Sequence, residues 1–334
     1  MLNIKKPWEN DSYLGNQKIL EQLNTLSKND KLNTTLLFHG SFGIGKATLA
    51  FRYTNYILCQ ESENFLKFKI NNNQITNQIK NLTHPNLIYI SNYDENGQSK
   101  EIKIEEIRDL KKKIMSKTIN GTYRVVIIDS IDSLNKSSCN ALLKILEEPP
   151  QKTIFILICH NINYIPDTIL SRSIKFNFKD MNILNTNAIL DLNRIKTNTD
   201  KIIKLYDNKR ITAGKIVYLL KNNFEDIEND FEDFIANDKS NDFRNVLIKT
   251  RKYIKKEDND KFLILIELFM IWIKKNAMKI LYDIENNSDL LKIITYWDKY
   301  QIKYKNLNDL NLNKEEFILT LNKDVRSLLH MELL

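Results

Sequence analysis

The sequence predicts an α/β protein in which helices cover both faces of a parallel sheet, followed by an all-helical C-terminal part. Three observations predict this fold class. Continuous runs of β-branched and apolar residues, such as RVVIID, are typical of strands buried on both faces. Segments with apolar residues at helical spacing alternate with these runs, which favours parallel strand pairing. After about residue 180 the strand patterns end and only helical spacing continues.

The first predicted strand leads into a glycine-rich turn that contains a lysine. The apolar run TTLLFHG (34–40) predicts the strand, and the spacing of ATLAFRYTNYILC (47–59) predicts the following helix. Between them, Gly40, Gly45 and Lys46 fit the phosphate-binding pattern G-x-x-x-x-G-K-S/T up to its last position. In such a loop, backbone N–H groups and the helix N-terminus face the phosphates. This context favours a nucleotide site over a glycine turn with an incidental lysine.

The next elements alternate as the fold class requires. Residues 60–100 are polar and rich in asparagine, and we expect an insertion or a loosely packed helix there. Helical spacing predicts helices at 101–117 and 134–148, the second ending before two prolines. Further buried strands are predicted at 124–132, 153–159 and 174–178.

The C-terminal part contains helical patterns only. Helices are predicted at 201–220, 227–255, 260–282 and 288–305. The longest apolar run, Phe262 to Ile273, has only 12 residues and contains Glu267. It is too short to span a bilayer, so we expect a buried helix. No apolar signal core follows the N-terminal MLNIKKPWEND, and we expect a soluble cytoplasmic protein with no membrane partner.

Composition limits the partners and cofactors. The 334 residues carry a formal net charge of +8, which suits contact with a polyanion such as DNA. A lysine-rich composition alone explains that charge equally well. Cys59, Cys139 and Cys159 form no C-x-x-C pair, and the four histidines are scattered. These spacings predict neither a zinc site nor a disulfide framework.

The candidate nucleotide site departs from an active one at two positions. Ala47 stands where a hydroxyl normally ligates Mg²⁺, and Thr48 projects about 100° away around the helix. Asp129 ends a predicted buried strand, where the Walker-B carboxylate is expected. The next residue, Ser130, cannot act as a base near neutral pH, and Asp132 is expected to be a helix-capping or turn residue. The sequence therefore predicts weak or absent nucleotide binding and no hydrolysis.

A second candidate is Arg172, in the stretch LSRS after the predicted strand at 153–159. An arginine there could reach the nucleotide of a neighbouring subunit and stabilise charge on the transferred phosphoryl group. On spacing alone, a surface arginine in a salt bridge is the favoured interpretation.

Three blocks in this chain resemble a known family. GIGKATLA, RVVIIDSIDSLNKSSCNALLKILEEPP and PDTILSRS, in this order and spacing, resemble the clamp-loader branch of the AAA+ ATPases. Within that branch the resemblance is strongest to the delta-prime family of bacterial DNA polymerase III. PWENDSYLGNQKILEQL resembles the family's opening segment beside the adenine site, so the resemblance covers about residues 7–180.

The resemblance implies an architecture and a set of partners. It implies an AAA+ P-loop domain at 1–180, a small helical lid at 181–222 and an all-helical oligomerisation collar at 223–334. The implied partners are the clamp-loader subunits delta and gamma/tau, the sliding clamp (beta) through the complex, and primed DNA. No cofactor is required, ATP or ADP is held weakly at most, and the four-cysteine zinc module of many members is missing between Cys59 and Cys139.

The resemblance also assigns the site residues. The degenerate nucleotide site comprises Gly40, Gly43, Gly45, Lys46, Ala47, Thr48 and Asp129. Ser171 and Arg172 match the family's SRC motif, with Ser173 in place of Cys, so Arg172 is the expected trans arginine finger. The sensor-1 position falls at Cys159-His160. The sensor-2 element falls near Ile211–Val217, with Lys215 but no arginine.

Three functions remain to be compared. The leading one is an interaction subunit of the clamp loader that has little ATPase activity of its own. The second is an active motor ATPase of the gamma/tau type, against which Ala47, Ser130 and the missing zinc cysteines argue. A small-molecule kinase is the third, and it would need neither NALLKILEEPP nor LSRS.

Overall fold

A computed structural model describes the protein over most of its length. The described residues are 5–28, 34–59, 73–93, 100–116, 118, 121–195, 200–206, 211–236, 252–253, 255, 258–282, 291, 294–300 and 313–329. The chain forms two compact units, Met1–Val217 and Tyr218–Leu334. The expected three-domain division at residues 180 and 222 stays a prediction.

The first unit contains a parallel sheet of five strands. The strands are β1 (Thr35–His39), β2 (Leu87–Ser91), β3 (Arg124–Asp129), β4 (Thr153–Cys159) and β5 (Ser173–Asn177). Their order across the sheet is β2-β3-β4-β1-β5, and every neighbouring pair is parallel. The four strands predicted at 34–40, 124–132, 153–159 and 174–178 are confirmed as β1, β3, β4 and β5. The parallel α/β class is confirmed with them.

Helices follow the strands along the first unit. They are α1 (Gln17–Lys28), α2 (Lys46–Cys59), α3 (Gln74–Lys80), α4 (Ile104–Ile114), α5 (Lys136–Glu147), α6 (Asp167–Leu170), α7 (Ile183–Leu192), α8 (Asp200–Leu205) and α9 (Ala213–Lys221). Asparagine side chains cap three of these helices at their N-termini: Asn73, Asn135 and Asn182 each accept a backbone N–H from the first turn. Capping by asparagine explains part of the abundance of this residue.

Two hydrophobic cores lie on the two faces of the sheet. Along β3, Val125 and Ile127 belong to the core that includes α1 and α2, whereas Val126 and Ile128 belong to the core that includes α4 and α5. All four side chains are fully buried. Each such side chain contributes about 1.5–3 kcal/mol to folding by leaving water. Burial on both faces explains why these strands read as continuous apolar runs.

The segment at 60–100 differs from the expectation. Residues 73–93 contain the short helix α3 and the edge strand β2, while 60–72 and 94–99 lie outside the described residues. Tyr89 of β2 packs edge-on against Trp8 and Phe51, at ring-centroid distances of 5.4 and 5.1 Å. This aromatic contact holds the edge strand to the N-terminal segment. The only sequence signal for β2 was the five-residue run LIYIS.

The second unit is helical where it is described. It contains α10 (Phe224–Ala236), α11 (Asn259–Tyr282) and α12 (Lys314–Leu329), and the unit boundary falls within α9. Phe262, Leu265 and Phe269 of α11 are buried, which confirms the buried helix predicted there. None of the described helices combines the length and apolarity needed to cross a bilayer.

Several helix boundaries in the C-terminal part were wrong. The single helix predicted at 201–220 is two helices, because the Thr212 hydroxyl accepts the Lys215 N–H and starts α9 there. Helix α10 (Phe224–Ala236) starts earlier than the helix predicted at 227–255, and residues 237–251 lie outside the described residues. Most of the predicted helix at 288–305 lies outside the described residues, and α12 was not predicted.

Candidate functional site

The glycine-rich loop lies where the pattern places it, between the end of β1 and the start of α2. Gly40, Gly43 and Gly45 all have positive φ, at 144°, 75° and 97°. Glycine takes these values without the steric cost that a side chain brings. The Leu49 N–H bonds to the Gly45 carbonyl at 3.0 Å and opens the helix. The strand–loop–helix context of a phosphate-binding loop is therefore present.

The lysine of this loop is turned onto the loop itself. Lys46 is only 3% exposed, and its Nζ donates to the carbonyl oxygens of Gly40 at 2.6 Å and Ser41 at 2.8 Å. Desolvation lowers the pKa of Lys46 to about 8, although the charges of Asp129 and Asp132 oppose the shift. The ammonium that would meet phosphates is bonded to backbone carbonyls of its own loop.

The start of α9 packs against the same loop. The Thr212 hydroxyl donates to the Phe42 carbonyl at 2.7 Å, and the Gly214 N–H donates to the Gly43 carbonyl at 3.1 Å. A Cβ on Gly43 would lie 2.5 Å from the backbone nitrogen of Lys215. A Cβ on Gly214 would lie 2.5 Å from the Cα of Gly43. Two glycines therefore allow the loop and α9 to meet backbone against backbone.

The carboxylates near the loop have different environments. Asp129 ends β3, and desolvation raises its pKa to about 6, while the Lys46 charge opposes this shift. Asp132 lies in a short 3-10 turn, Ile131–Ser133, and accepts the backbone N–H of His160 at 2.7 Å and of Asn161 at 2.9 Å. Asp132 is a turn residue whose carboxylate links the end of β3 to the end of β4.

His160 is the residue whose environment the sequence did not indicate. Its ring meets the Phe42 ring edge-on at 5.2 Å between centroids. Both ring nitrogens are buried and have no hydrogen-bond partner within the described part of the chain. Desolvation, with a smaller effect of the Lys46 charge, lowers the pKa of His160 to about 3. The imidazole is therefore neutral at physiological pH and lies against the loop as an uncharged ring.

These residues, as arranged, do not fit a magnesium-bound nucleotide. Ala47 offers no hydroxyl and instead packs against the hydrophobic core beneath α2, and Thr48 is half-buried one position further along. Lys46 and the carbonyls of Phe42 and Gly43 are bonded within the protein. Over the described ranges, no group of three or more His, Cys, Asp or Glu side chains is arranged to hold a metal ion.

Arg172 lies at the opposite end of the strands from the glycine loop. It directly precedes β5, whose first residue, Ser173, pairs with Thr35 at the start of β1. The glycine loop follows His39, at the far end of β1. Five residues of strand span about 16 Å, so this arginine is distant from the loop of its own chain. The structure does not bring Arg172 together with the other predicted site residues.

The Arg172 guanidinium has defined partners. Nη1 donates to the Thr168 carbonyl at 3.0 Å and to the Ser171 Oγ at 3.4 Å. Nη2 forms an ion pair with Glu147 Oε1 at 3.2 Å, and the Arg172 side chain is 39% exposed. The surface salt bridge that spacing alone favoured is therefore present. Its exposure leaves the arginine accessible to another molecule.

Fold and loop together define the class of protein. A five-stranded parallel sheet in the order β2-β3-β4-β1-β5, a glycine-rich loop after β1 and an aspartate ending β3 form a P-loop domain of the AAA+ kind. The model of one protein family, described as DNA polymerase III, delta subunit, matches residues 15–182. Because this match covers half of the chain, the protein belongs to that family.

Curated relatives resemble the same region. The DNA polymerase III subunit tau of Bacillus subtilis is 31% identical over 179 residues, which is 54% of this chain and 30% of the relative. Subunit gamma of Buchnera aphidicola is 28% identical over 183 residues, 54% of this chain and 47% of the relative. Subunit gamma/tau of Mycoplasma genitalium is 30% identical over 222 residues, which is 64% of this chain and 36% of the relative. The matched regions thus span less than half the length of these relatives.

Two solved structures are more distant. A DNA polymerase III gamma subunit-related protein from Thermotoga maritima aligns over 92% of this chain and 98% of its own, at 17% identity and a TM-score of 0.47. RuvB from Thermotoga maritima aligns over 81% of each chain, at 16% identity and a TM-score of 0.42.

Proposed function

We propose that this chain is a delta-prime-like subunit of the bacterial clamp loader. It assembles in the cytoplasm with delta and gamma/tau subunits to load the sliding clamp on primed DNA. It donates Arg172 to the nucleotide site of a neighbour and has little or no ATPase activity of its own.

The observation that carries this proposal is the closed glycine loop. Lys46 is bonded to the carbonyls of Gly40 and Ser41, and α9 is bonded to those of Phe42 and Gly43. A nucleotide would have to draw Lys46 away from these carbonyls and displace the start of α9, which packs backbone against backbone on Gly43. It would have to do so without a magnesium-binding hydroxyl, which Ala47 lacks. A subunit that cannot use its own loop can still serve its neighbours.

The position of Arg172 supports action on a neighbour. Arg172 lies at the opposite end of the strands from its own loop, about 16 Å away. An arginine finger must contact the transferred phosphoryl group directly. From this position it can do so only for a nucleotide that another chain holds.

The names of the curated relatives favour a second candidate, a gamma/tau-type motor ATPase. The curated relatives named above are tau and gamma subunits. A motor subunit would need the loop to release Lys46 and α9, and a carboxylate to orient water. Ser130 stands where that carboxylate is expected. We therefore prefer the non-hydrolysing subunit.

Two measurements separate the candidates. The isolated delta-prime-like chain should bind Mg-ATP weakly or undetectably by calorimetry and should release no phosphate. In the loader reconstituted with delta, gamma/tau, clamp and primed DNA, Arg172→Ala should lower ATPase activity while the complex still assembles. A trans arginine contributes about 10³–10⁵ in rate at one site, although the other sites dilute the total change.

Matched variants sharpen the comparison. Arg108→Ala removes an exposed arginine from the surface of α4 and should leave loader ATPase unchanged. A motor subunit would instead lose its own ATPase on Lys46→Ala. Tight magnesium-dependent ATP binding by the isolated chain, or unchanged loader ATPase with Arg172→Ala, would contradict the proposal.

The net charge of +8 bears on DNA binding. Contacts to phosphates should make DNA binding by the assembled loader weaken steeply with salt. Sequence-specific DNA binding by the isolated chain would argue against this role.

A further inference from the structure

The anchor of Arg172 comes from two different helices. Thr168 belongs to α6 and Ser171 caps that helix, and both accept hydrogen bonds from Nη1 of the arginine. Glu147 is the last residue of α5 and accepts from Nη2. One guanidinium is thus held from two sides, by neutral oxygens on one helix and a carboxylate on the other.

We propose that Glu147 is a positioning residue for Arg172, which sets the direction in which the guanidinium faces the neighbouring subunit. The inference rests on the proposed function, because it assumes that Arg172 acts in trans. Glu147 itself touches no nucleotide in this proposal.

The two helices give Glu147 a fixed base. Ile145 and Leu146 of α5 are buried in the same hydrophobic core as Ile169 of α6. Shared burial holds the ends of both helices, so the backbone of Glu147 and the Thr168 carbonyl keep their relative position. A side chain held at both ends has fewer conformations to lose when it meets its target.

The guanidinium keeps donors for a second partner. Arginine has five N–H groups, and the contacts above use only part of them. Its Nε donates to no acceptor in the described part of the chain, and Nη2 donates only to Glu147. The Nε–H and the second N–H of Nη2 therefore remain for two oxygens of a phosphate. The ion pair with Glu147 can thus persist while the arginine contacts the phosphoryl group.

The same pair contributes little to the stability of the fold. The Arg172 and Glu147 side chains are 39% and 51% exposed, and solvent screens such a pair strongly. Replacing Glu147 should therefore change catalysis in the neighbour without unfolding this chain. This property makes the proposal testable by mutation.

The test uses the full loader reconstituted with clamp and primed DNA. Glu147→Ala should lower the rate at the site that Arg172 completes by about two- to five-fold, the range that an exposed ion pair can supply. Because the other sites dilute this change, the kcat of the whole loader should fall by a smaller factor, at unchanged KM for ATP. Glu147→Gln keeps the size and one acceptor oxygen and should recover part of the loss. Glu148→Ala removes the adjacent exposed glutamate and should match the wild type. Thermal melting of the isolated variants should be unchanged.

A double variant separates positioning from a general effect. If Glu147 acts only through Arg172, then Arg172→Ala with Glu147→Ala should equal Arg172→Ala alone. An additive loss, or a Glu147→Ala loader as active as the wild type or more active, overturns the proposal for Glu147. Unchanged activity of Arg172→Ala alone would instead overturn the proposed function.

Discussion

The contact between the glycine loop and α9 makes a sharp prediction for Gly43→Ala. Gly43 has a φ of 75°, and a Cβ there would lie 2.5 Å from the backbone nitrogen of Lys215 and 2.7 Å from the Thr212 hydroxyl. The nearest of these neighbours is backbone, which cannot rotate aside as a flexible side chain can. The loop must therefore withdraw from α9, and the bonds between them must lengthen or break.

The expected loss of stability follows from two contributions. A left-handed backbone conformation costs a residue with a side chain roughly 1–2 kcal/mol. Each of the two hydrogen bonds between the loop and α9 contributes about 0.5–1.5 kcal/mol net. The first unit should thus lose about 2–5 kcal/mol in Gly43→Ala.

Gly121 provides a matched control. Its φ is 62°, and a Cβ there would meet no atom within 4 Å. Gly121→Ala therefore carries only the cost of the dihedral angle, roughly 1–2 kcal/mol. The difference between the two alanine variants isolates the contact with α9, and it should be about 1–3 kcal/mol.

Urea unfolding followed by tryptophan fluorescence measures this difference. Trp272 and Trp297 lie in the second unit, so replacing both by Phe leaves Trp8 to report on the first. Gly43→Ala and Gly121→Ala are compared in that background. Equal destabilisation by the two variants would refute the tight contact between the loop and α9.

Three further predictions concern other buried groups and the altered loop. The folded-state pKa of His160, about 3, lies below the ordinary value of 6.5, so the stability it contributes is full above pH 6.5 and is lost as the pH falls. Between pH 7.5 and 5, the free energy of unfolding of the wild type should therefore fall by about 2 kcal/mol more than that of His160→Leu, as measured by urea unfolding at each pH. An equal pH dependence of the two proteins would contradict this. Arg124 is buried and donates to the carbonyls of Ile114 and Ser116 at the end of α4, at 2.6 and 3.0 Å. Arg124→Ala should therefore lower the free energy of unfolding in urea by about 2–4 kcal/mol. A smaller loss, of the size expected for a surface arginine, would contradict this. Ala47→Ser should not produce phosphate release by the isolated chain, since Ser130 still supplies no carboxylate, and measurable turnover would show this reasoning to be wrong.

The parts of the fold that sequence predicts are those with a strong local pattern. Strands β3 and β4 are long apolar runs because both of their faces are buried, and they were located within a few residues. Strand β2 was missed because it is short, lies at the edge of the sheet and follows an asparagine-rich stretch. Its position depends on Trp8 and Phe51, which are distant in sequence.

In the candidate site too, local motifs were predictable from the sequence, whereas contacts between residues distant in sequence were not. Motif spacing placed Gly40 to Lys46 between a strand and a helix, Asp129 at the end of a strand and Arg172 just before another, and the structure has them on these elements. Their roles stay predictions. The closure of the loop was not predictable, because the Thr212–Phe42 bond joins residues 170 positions apart. The neutral state of His160 was not predictable from the sequence either, since it comes from burial against Phe42 and from the nearby charge of Lys46.

The opposite placement of loop and arginine gives the domain a polarity. If subunits assemble head to tail into a ring, each offers one end of its strands to the chain before it and the other end to the chain after it. Under the proposed function, this chain acts only from the end that carries Arg172, because the glycine loop at the other end is closed. A ring built entirely of such chains would contain no working site, and a ring with one copy contains one interface that differs from the rest. This chain would therefore mark a single fixed position in the ring, from which the order of the other subunits can be counted.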